Sequence, residues 1–350
     1  MSDQTAIEWC DSTFNPWIGC TRVSPACDDC YAARSTPART LGVAWGQGEP
    51  RRRTADSTWE QPRIWQRQAA AFKAKHGRRR RVFCASLADW LDNDVTIQWL
   101  VDLLELIRTT PDLDWLLLSK RIGNWASRIS EAMGYLDEQQ PADLALRGWL
   151  SHWLDGDEAP RNVWMLATIC NQAEAYRDIV KLLRVPAVVH GLSIEPMLGP
   201  VDLERPRPGP DLDQGGGRMI CQPWLIQSGI DWVICGGESG PKARPMHPDW
   251  SRSLRDQCAA AGVPFLFKQW GEWTEQDDSG LPGVRTVLEG DPEFESEAAK
   301  CDAFMAIDGE VITDLDDGRD GMSYRGLSRP GKKAAGRLLD GRTHDEFPQP

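Results

Sequence analysis

The 350 residues contain no uninterrupted apolar run of about 18, the length a membrane-spanning helix needs, so no membrane partner is expected. The N-terminus, MSDQTAIEWC, has no basic stretch leading into an apolar one. The chain therefore reads as cytoplasmic. Positive charge is in deficit. Against 52 Asp and Glu stand 40 Lys and Arg, a net charge of −12, which argues against a protein that coats nucleic acid uniformly. Histidine is scarce: His76, His152, His190, His247 and His344 show no metal-ligand spacing and no partner for a nucleophile. His247, beside Pro248, reads as a helix-start residue. No repeat of 20–50 residues is present, so a solenoid is excluded.

What is present is ordinary globular composition, 41% hydrophobic and 26% charged, which excludes wholesale disorder. The length suits about two domains, or one barrel of roughly 250 residues with insertions. A core of that size needs no crosslinks. The ten cysteines, in a reducing compartment, do not read as a disulfide framework. The 17 tryptophans lie mostly in or beside apolar segments, where they pack a core.

Six short apolar runs recur: VFCASL (82–87), DWLLLS (114–119), NVWMLATI (162–169), AVVHGLSI (187–194), DWVICGG (231–237) and PFLFKQW (264–270). They are continuous rather than alternating, as strands covered on both faces are. A further first strand is expected within 7–18. Helical periodicity falls between several of them. Residues 94–108 carry Ile97, Val101, Leu104 and Ile107 on one stripe, with Asn93 or Asp94 as the expected N-cap. Residues 172–183 and 248–261 follow the same rule, and a weaker helix is expected over 61–75. This alternation predicts a parallel α/β fold, a partial TIM-type barrel of (β/α)6 kind, with an open doubly wound sheet as the alternative. The barrel domain is expected over 1–274, with insertions at about 135–160 and 204–217. An acidic, Gly-rich extension over 275–350, irregular with weak strand signals, is expected to pack on it.

Polar residues follow the apolar runs. Asp89 follows the first; Lys120 and Arg121 follow the second. Glu195 comes after AVVHGLSI, Glu238 and Ser239 after Gly236 and Gly237, and Lys268 lies near the end of the last run. Parallel strands bring such groups to one mouth, where α/β sites are built. The mixture of carboxylates and cations suits a zwitterionic or phosphorylated ligand, and the two glycines would let backbone approach a ligand closely. These carboxylates with a hard cation would also suit a hydrolase or nuclease, although that leaves the cysteines without a purpose. The basic runs 51–53 and 78–81 read either as solvated loops or as local phosphate contacts.

Cys20, Cys27 and Cys30, in NPWIGCTRVSPACDDCYA, sit in a polar loop on the same mouth. Thiolates grouped this way bind a soft metal centre. Zinc would need a fourth ligand, which Cys10 could supply. A [4Fe–4S] cluster held by three cysteines would keep one iron open for substrate or cofactor. Cys84, Cys170, Cys235 and Cys258 read as small core residues.

The segments IEWCDSTFNPWIGCTRVSPACDDCYA, CASLADW, LLLSKR, LSIEPMLGPVDL, DWVICGGESGPKARPMHPDW, PFLFKQWGEW and GRLLDGRTHDEFP occur in order. Together they resemble the bacteriophage three-cysteine-motif family, the phage gp thirty-seven/sixty-eight family, whose pattern is similar to radical S-adenosylmethionine enzymes. The resemblance implies a [4Fe–4S] cluster on Cys20, Cys27 and Cys30 whose open iron binds S-adenosylmethionine, a reductant for the cluster, and generation of a 5′-deoxyadenosyl radical. Asp89, Lys120, Arg121, Glu195, Gly236, Gly237, Glu238, Ser239 and Lys268 would hold cofactor and substrate. Asp89 is the positional candidate for the cofactor's amino group. A nucleic acid or nucleotide is the expected substrate, for modification or repair, in the host cytoplasm if a phage encodes the chain. The alternative is a non-catalytic, zinc-stabilised binding protein working with a phage partner protein.

Overall fold

The computed structural model describes residues 5–139, 143–156, 158–204, 229–275, 301–314, 317–319 and 322–349. In chain order it begins with β1 (Ser12–Phe14), β2 (Trp17–Ile18), α1 (Thr36–Thr40), β3 (Arg52–Arg53), α2 (Asp56–Arg67) and α3 (Ala69–His76). Strand and helix then alternate: β4 (Arg80–Cys84), α4 (Ile97–Arg108), β5 (Leu113–Ser119), α5 (Trp125–Asp137), α6 (Leu144–Asp155), β6 (Val163–Thr168), α7 (Gln172–Leu182), β7 (Val189–Ile194), β8 (Trp232–Gly236), α8 (Pro248–Ala261) and β9 (Phe265–Gln269). The short strands β10 (Thr274–Glu275), β11 (Ala303–Ala306), β12 (Val311–Ile312) and β13 (Tyr324–Ser328) follow.

The main sheet has the order β1-β4-β5-β6-β7-β8-β9, with every pair parallel. Each crossover steps the same way, so the sheet curls into a half-barrel, a partial TIM-type barrel flanked by helices. The C-terminal tail lines the outer edge of β9. Phe267 N donates to His344 O at 3.0 Å, and Glu346 N donates to Phe265 O at 3.3 Å.

Period-two alternation sorts the strand residues into two layers. Trp115, Leu117, Met165, Val233 and Phe267 pack outward against the helices. Phe83, Leu116, Trp164, Leu166, Val189, Trp232, Ile234 and Leu266 fill the interior with Trp9 and Cys10. The interior rows turn polar toward the C-terminal ends. Leu116 and Leu118 lead to Lys120, Trp164 and Leu166 to Thr168, Val189 to Ser193 and Glu195, and Leu266 to Lys268. The pleat therefore makes an apolar floor and a polar mouth from single continuous runs.

The expected helices form with shifted ends. The N-cap before α4 is Thr96, not Asn93 or Asp94, because Asp92, Asn93 and Asp94 belong to the preceding turn. The helix expected over 61–75 is two helices, broken at Gln68. Residues 135–139 and 143–156 belong to a helical pair whose Leu136, Leu146, Leu150 and Trp153 are buried. The stretch 204–217 lies, after Glu204, outside the described residues. The C-terminal segment carries more order than its weak strand signals suggest: β10, β13, β11 and β12 make a four-stranded antiparallel sheet.

His247 caps α8, its Nδ1 accepting from Asp249 N at 3.1 Å. Burial pushes its pKa down to about 4, against a smaller opposing effect of Asp249, with Arg325 and Arg252 adding to the depression. Between pH 6.5 and 4 the unfolded chain therefore binds a proton that the folded chain refuses. Stability falls as pH drops through that window, by about 3 kcal/mol if the full shift is expressed. Denaturant titrations at pH 7 and pH 4.5 should show this loss. His247→Asn, which keeps a capping side chain, should lose distinctly less; an equal loss would assign the acid sensitivity elsewhere.

Candidate active site at the barrel mouth

After β2, Gly19 turns the chain with a φ of 111°, where a side chain is disfavoured. The three-cysteine loop follows. Ser24 caps a short 3-10 turn, Pro25–Cys27, by accepting from Ala26 N at 3.1 Å, with Pro25 as its first residue. Cys30 N donates to Cys27 O at 3.4 Å, which keeps the last two cysteines on adjoining turns.

The loop roofs a cavity of about 330 Å³, within the range of small-molecule sites. Cys20, Cys27 and Cys30 line it together with Asp89, Lys120, Arg121, Glu195, Gly237, Glu238, Ser239 and Lys268. Trp9, Phe83 and Leu118 supply apolar wall. Of the residues expected there from sequence, Gly236 alone is not on the wall. An added Cβ at Gly236 would lie in ordinary contact with Gln269, Glu195 and Lys268. Gly237 is on the wall, but the space of its missing Cβ is taken by the carbonyl oxygen of Trp270, only 1.8 Å away, not left open for a ligand.

Three carboxylate–cation pairs stand around the mouth. Asp89 Oδ2 accepts from Arg121 Nη1 at 3.2 Å, with both side chains under 10% exposed. Asp89 also accepts from Ser119 Oγ, Lys120 N and Leu91 N at 2.7, 3.0 and 3.0 Å. Its capacity of about four acceptor sites is filled, so it holds the ends of β4 and β5 together and aims Arg121. Glu195 pairs with Lys268 at 2.5 Å. Glu238 takes a forked pair from Arg244, 2.7 Å to Oε1 and 2.9 Å to Oε2. Arg244 also donates to Pro25 O at 3.0 Å and to Asp28 at 3.3 Å, strapping the exit of β8 to the cysteine loop. Asp89, Glu195 and Glu238 are thus each engaged by a cation, whereas Glu8, also on the wall, has a buried Oε2 with no hydrogen-bond partner.

The arginine runs are engaged in the protein. Arg51, 1% exposed at its side chain, pairs with Asp92 and Asp94 at 2.8 Å each and donates to Thr21 Oγ1 at 2.6 Å, anchoring the base of the cysteine loop. Arg52 donates to Leu41 O, and Arg53 pairs with Asp102 beneath the Trp59 ring. Arg78 and Arg79 pair with Asp11 and Asp114, Arg80 donates to Ser12 Oγ, and Arg81 lies 3.7 Å from the Phe347 ring centre. The second run leads into the N-terminal end of β4, the face opposite the mouth. Arg51, Arg53, Arg78 and Arg79 of the two runs are thus taken up by the protein's own carboxylates.

Sequence reading missed Arg244, Thr168, Ser193 and Lys332. Thr168, 3% exposed, lines the cavity, and its Oγ1 has no hydrogen-bond partner. A buried hydroxyl left unmet is costly. The signal for Thr168 was the period-two row Trp164, Leu166, Thr168. Lys332 reaches the cavity from the C-terminal segment.

Three thiols share one wall, as a cluster with an open corner needs. Among the described residues, these three cysteines included, no group of three or more His, Cys, Asp or Glu is gathered as a metal-binding set. Cys10, the expected fourth zinc ligand, packs in the barrel interior with Trp9 and Phe83 and does not line the cavity. Burial pushes the Cys20 thiol up to about 12, with Asp89 adding to the rise and Arg121 opposing it. A bound cation is what would deprotonate it.

A model of the family described as "Protein of unknown function (DUF5131)" matches residues 4–348. The chain belongs to this family. Curated proteins offer no match to this DUF5131 member. Among solved structures, a cysteine-to-serine mutant of spore photoproduct lyase is similar at a TM-score of 0.34 and 11% identity, covering 91% of this chain and 68% of that one. The fold assignment of the DUF5131 chain rests on its own strand order. No described helix is long and apolar enough to cross a membrane.

Proposed function

We propose that this protein is a radical S-adenosylmethionine-type enzyme: Cys20, Cys27 and Cys30 hold a [4Fe–4S] cluster, and the cavity beneath it takes the cofactor and an anionic substrate of the nucleotide or nucleic-acid class. One observation carries the reading. Three cysteines from the first loop share the C-terminal mouth of a parallel half-barrel with the polar ends of six strands. When bound, the cluster and cofactor supply one-electron cleavage of a sulfur–carbon bond and hence a radical able to abstract hydrogen.

The chain's own residues do the rest. Lys120, which has no ion-pair partner among the described residues, places a cation on the wall for a carboxylate or phosphate, and Lys332 places another at the rim. Thr168 offers a donor or acceptor at depth. Trp9, Phe83 and Leu118 keep water from the reacting atoms. Asp89 and Glu238 act through Arg121 and Arg244, which hold the cysteine loop over the cavity.

Anaerobic reconstitution with iron and sulfide should yield a brown protein with about four irons per chain and broad absorbance near about 400 nm. Dithionite and S-adenosylmethionine should then release 5′-deoxyadenosine. A colourless protein carrying about one zinc and no iron would refute the proposal.

A further inference from the structure

We infer that Arg121 sets the reduction potential of the cluster through its hydrogen bond to Cys20. This rests on the function proposed above and concerns how readily that centre accepts an electron. Arg121 follows β5 by two residues, and its side chain is 8% exposed. Nη1 lies 3.2 Å from Cys20 Sγ, and Nη2 donates to Thr21 O at 2.5 Å. Asp89 holds the same guanidinium from behind at 3.2 Å. Arg121 N donates to Ser119 Oγ at 2.8 Å, and that hydroxyl in turn donates to Asp89, so the guanidinium is fixed by its own backbone as well as its side chain. Cys27 and Cys30 receive no comparable side-chain donor among the described residues.

One-electron reduction places one more negative charge on the cluster and its thiolates. A cationic donor against one sulfur stabilises that state, strongly so where water is thin. Removing the cation also leaves the buried charge of Asp89 uncompensated beside Cys20. Both effects disfavour the added electron. Arg121→Gln should therefore lower the potential. Asp89→Asn removes the neighbouring negative charge and should raise it. A residue that only props up the loop would lower cluster occupancy in both variants without shifting the potential in opposite directions.

The experiment is an anaerobic dithionite titration of reconstituted protein, followed by electron paramagnetic resonance and by bleaching near about 400 nm, normalised to bound iron. At the potential where the wild type is half reduced, Arg121→Gln should show about a tenfold lower reduced-to-oxidised ratio, 59 mV for a one-electron couple. Asp89→Asn should show a higher ratio. Arg121→Lys, which keeps the charge but not the fork, should fall between Arg121→Gln and the wild type and serves as the readout if Arg121→Gln takes up too little iron. Unchanged ratios, or shifts of the same sign in Arg121→Gln and Asp89→Asn, would overturn the inference while leaving the cluster assignment intact. A wild type that binds no iron would overturn both.

Discussion

Cys27→Ala is expected to leave the anaerobically reconstituted protein without its iron and its colour. Cys27 closes the 3-10 turn that Ser24 caps, on the wall shared with Cys20 and Cys30. Removing one of three ligands leaves a cluster held at two corners. Loss of a mere outer-shell partner already weakens metal binding by about 10–100-fold, and loss of a ligand should exceed that. The control is Cys258→Ala. Cys258 is fully buried on α8, and burial raises its thiol pKa to about 12, as expected of an inert core thiol. That variant should cost about 1–2 kcal/mol of packing and keep its iron. Iron per chain, with absorbance near about 400 nm, decides the matter. Equal loss in the two variants would mean that the wrong thiols have been assigned.

The fold was legible because buried parallel strands write themselves as continuous apolar runs. Each of the six runs became a strand of the main sheet, and α4 and α8 buried their expected stripes, whereas α7 buries Ala175, Ile179 and Leu182 with Glu174 and Asp178, a face turned from the one its apolar residues suggested. The gathering of polar residues at one end was legible to the same depth. Polar residues placed just after those runs had to gather at one end, and the three cysteines joined them there. What stayed hidden depends on tertiary partners. Thr168 and Ser193 sit inside apolar runs, and only the pleat reveals that they face the cavity. Arg244, in ESGPKARP, joins Glu238 to Pro25, more than 200 residues away in sequence. The arginine runs showed their charge but not the aspartates 11, 92, 94, 102 and 114 that take up much of it. Sequence gives the sign of a side chain; whether that charge is free for a ligand is decided by what folds against it.

Gly237→Ala is expected to destabilise the protein by about 3–5 kcal/mol, or to prevent its folding, whereas Gly236→Ala should change stability by no more than about 1 kcal/mol. The two adjacent glycines looked alike in GGE, both suited to a close ligand. Their surroundings differ. A Cβ on Gly236 meets nothing nearer than 3.5 Å. A Cβ on Gly237 would sit 1.8 Å from Trp270 O and 2.7 Å from Trp270 C, atoms of a backbone that cannot swing aside as a side chain can. Gly271 faces the same limit from the other strand, 2.1 Å from Glu238 O. The exits of β8 and β9 therefore cross backbone on backbone. Gly237 N donates to Gln269 O at 2.9 Å, and Glu272 N donates to Glu238 O at 3.0 Å. Making room for a methyl group parts these bonds and moves Glu238, which carries Arg244 and through it the cysteine loop. Urea denaturation of both variants distinguishes the cases. A Gly237→Ala protein of wild-type stability that lost only cofactor affinity would return this glycine to the role its sequence suggested, a floor for a ligand and not a crossing of strands.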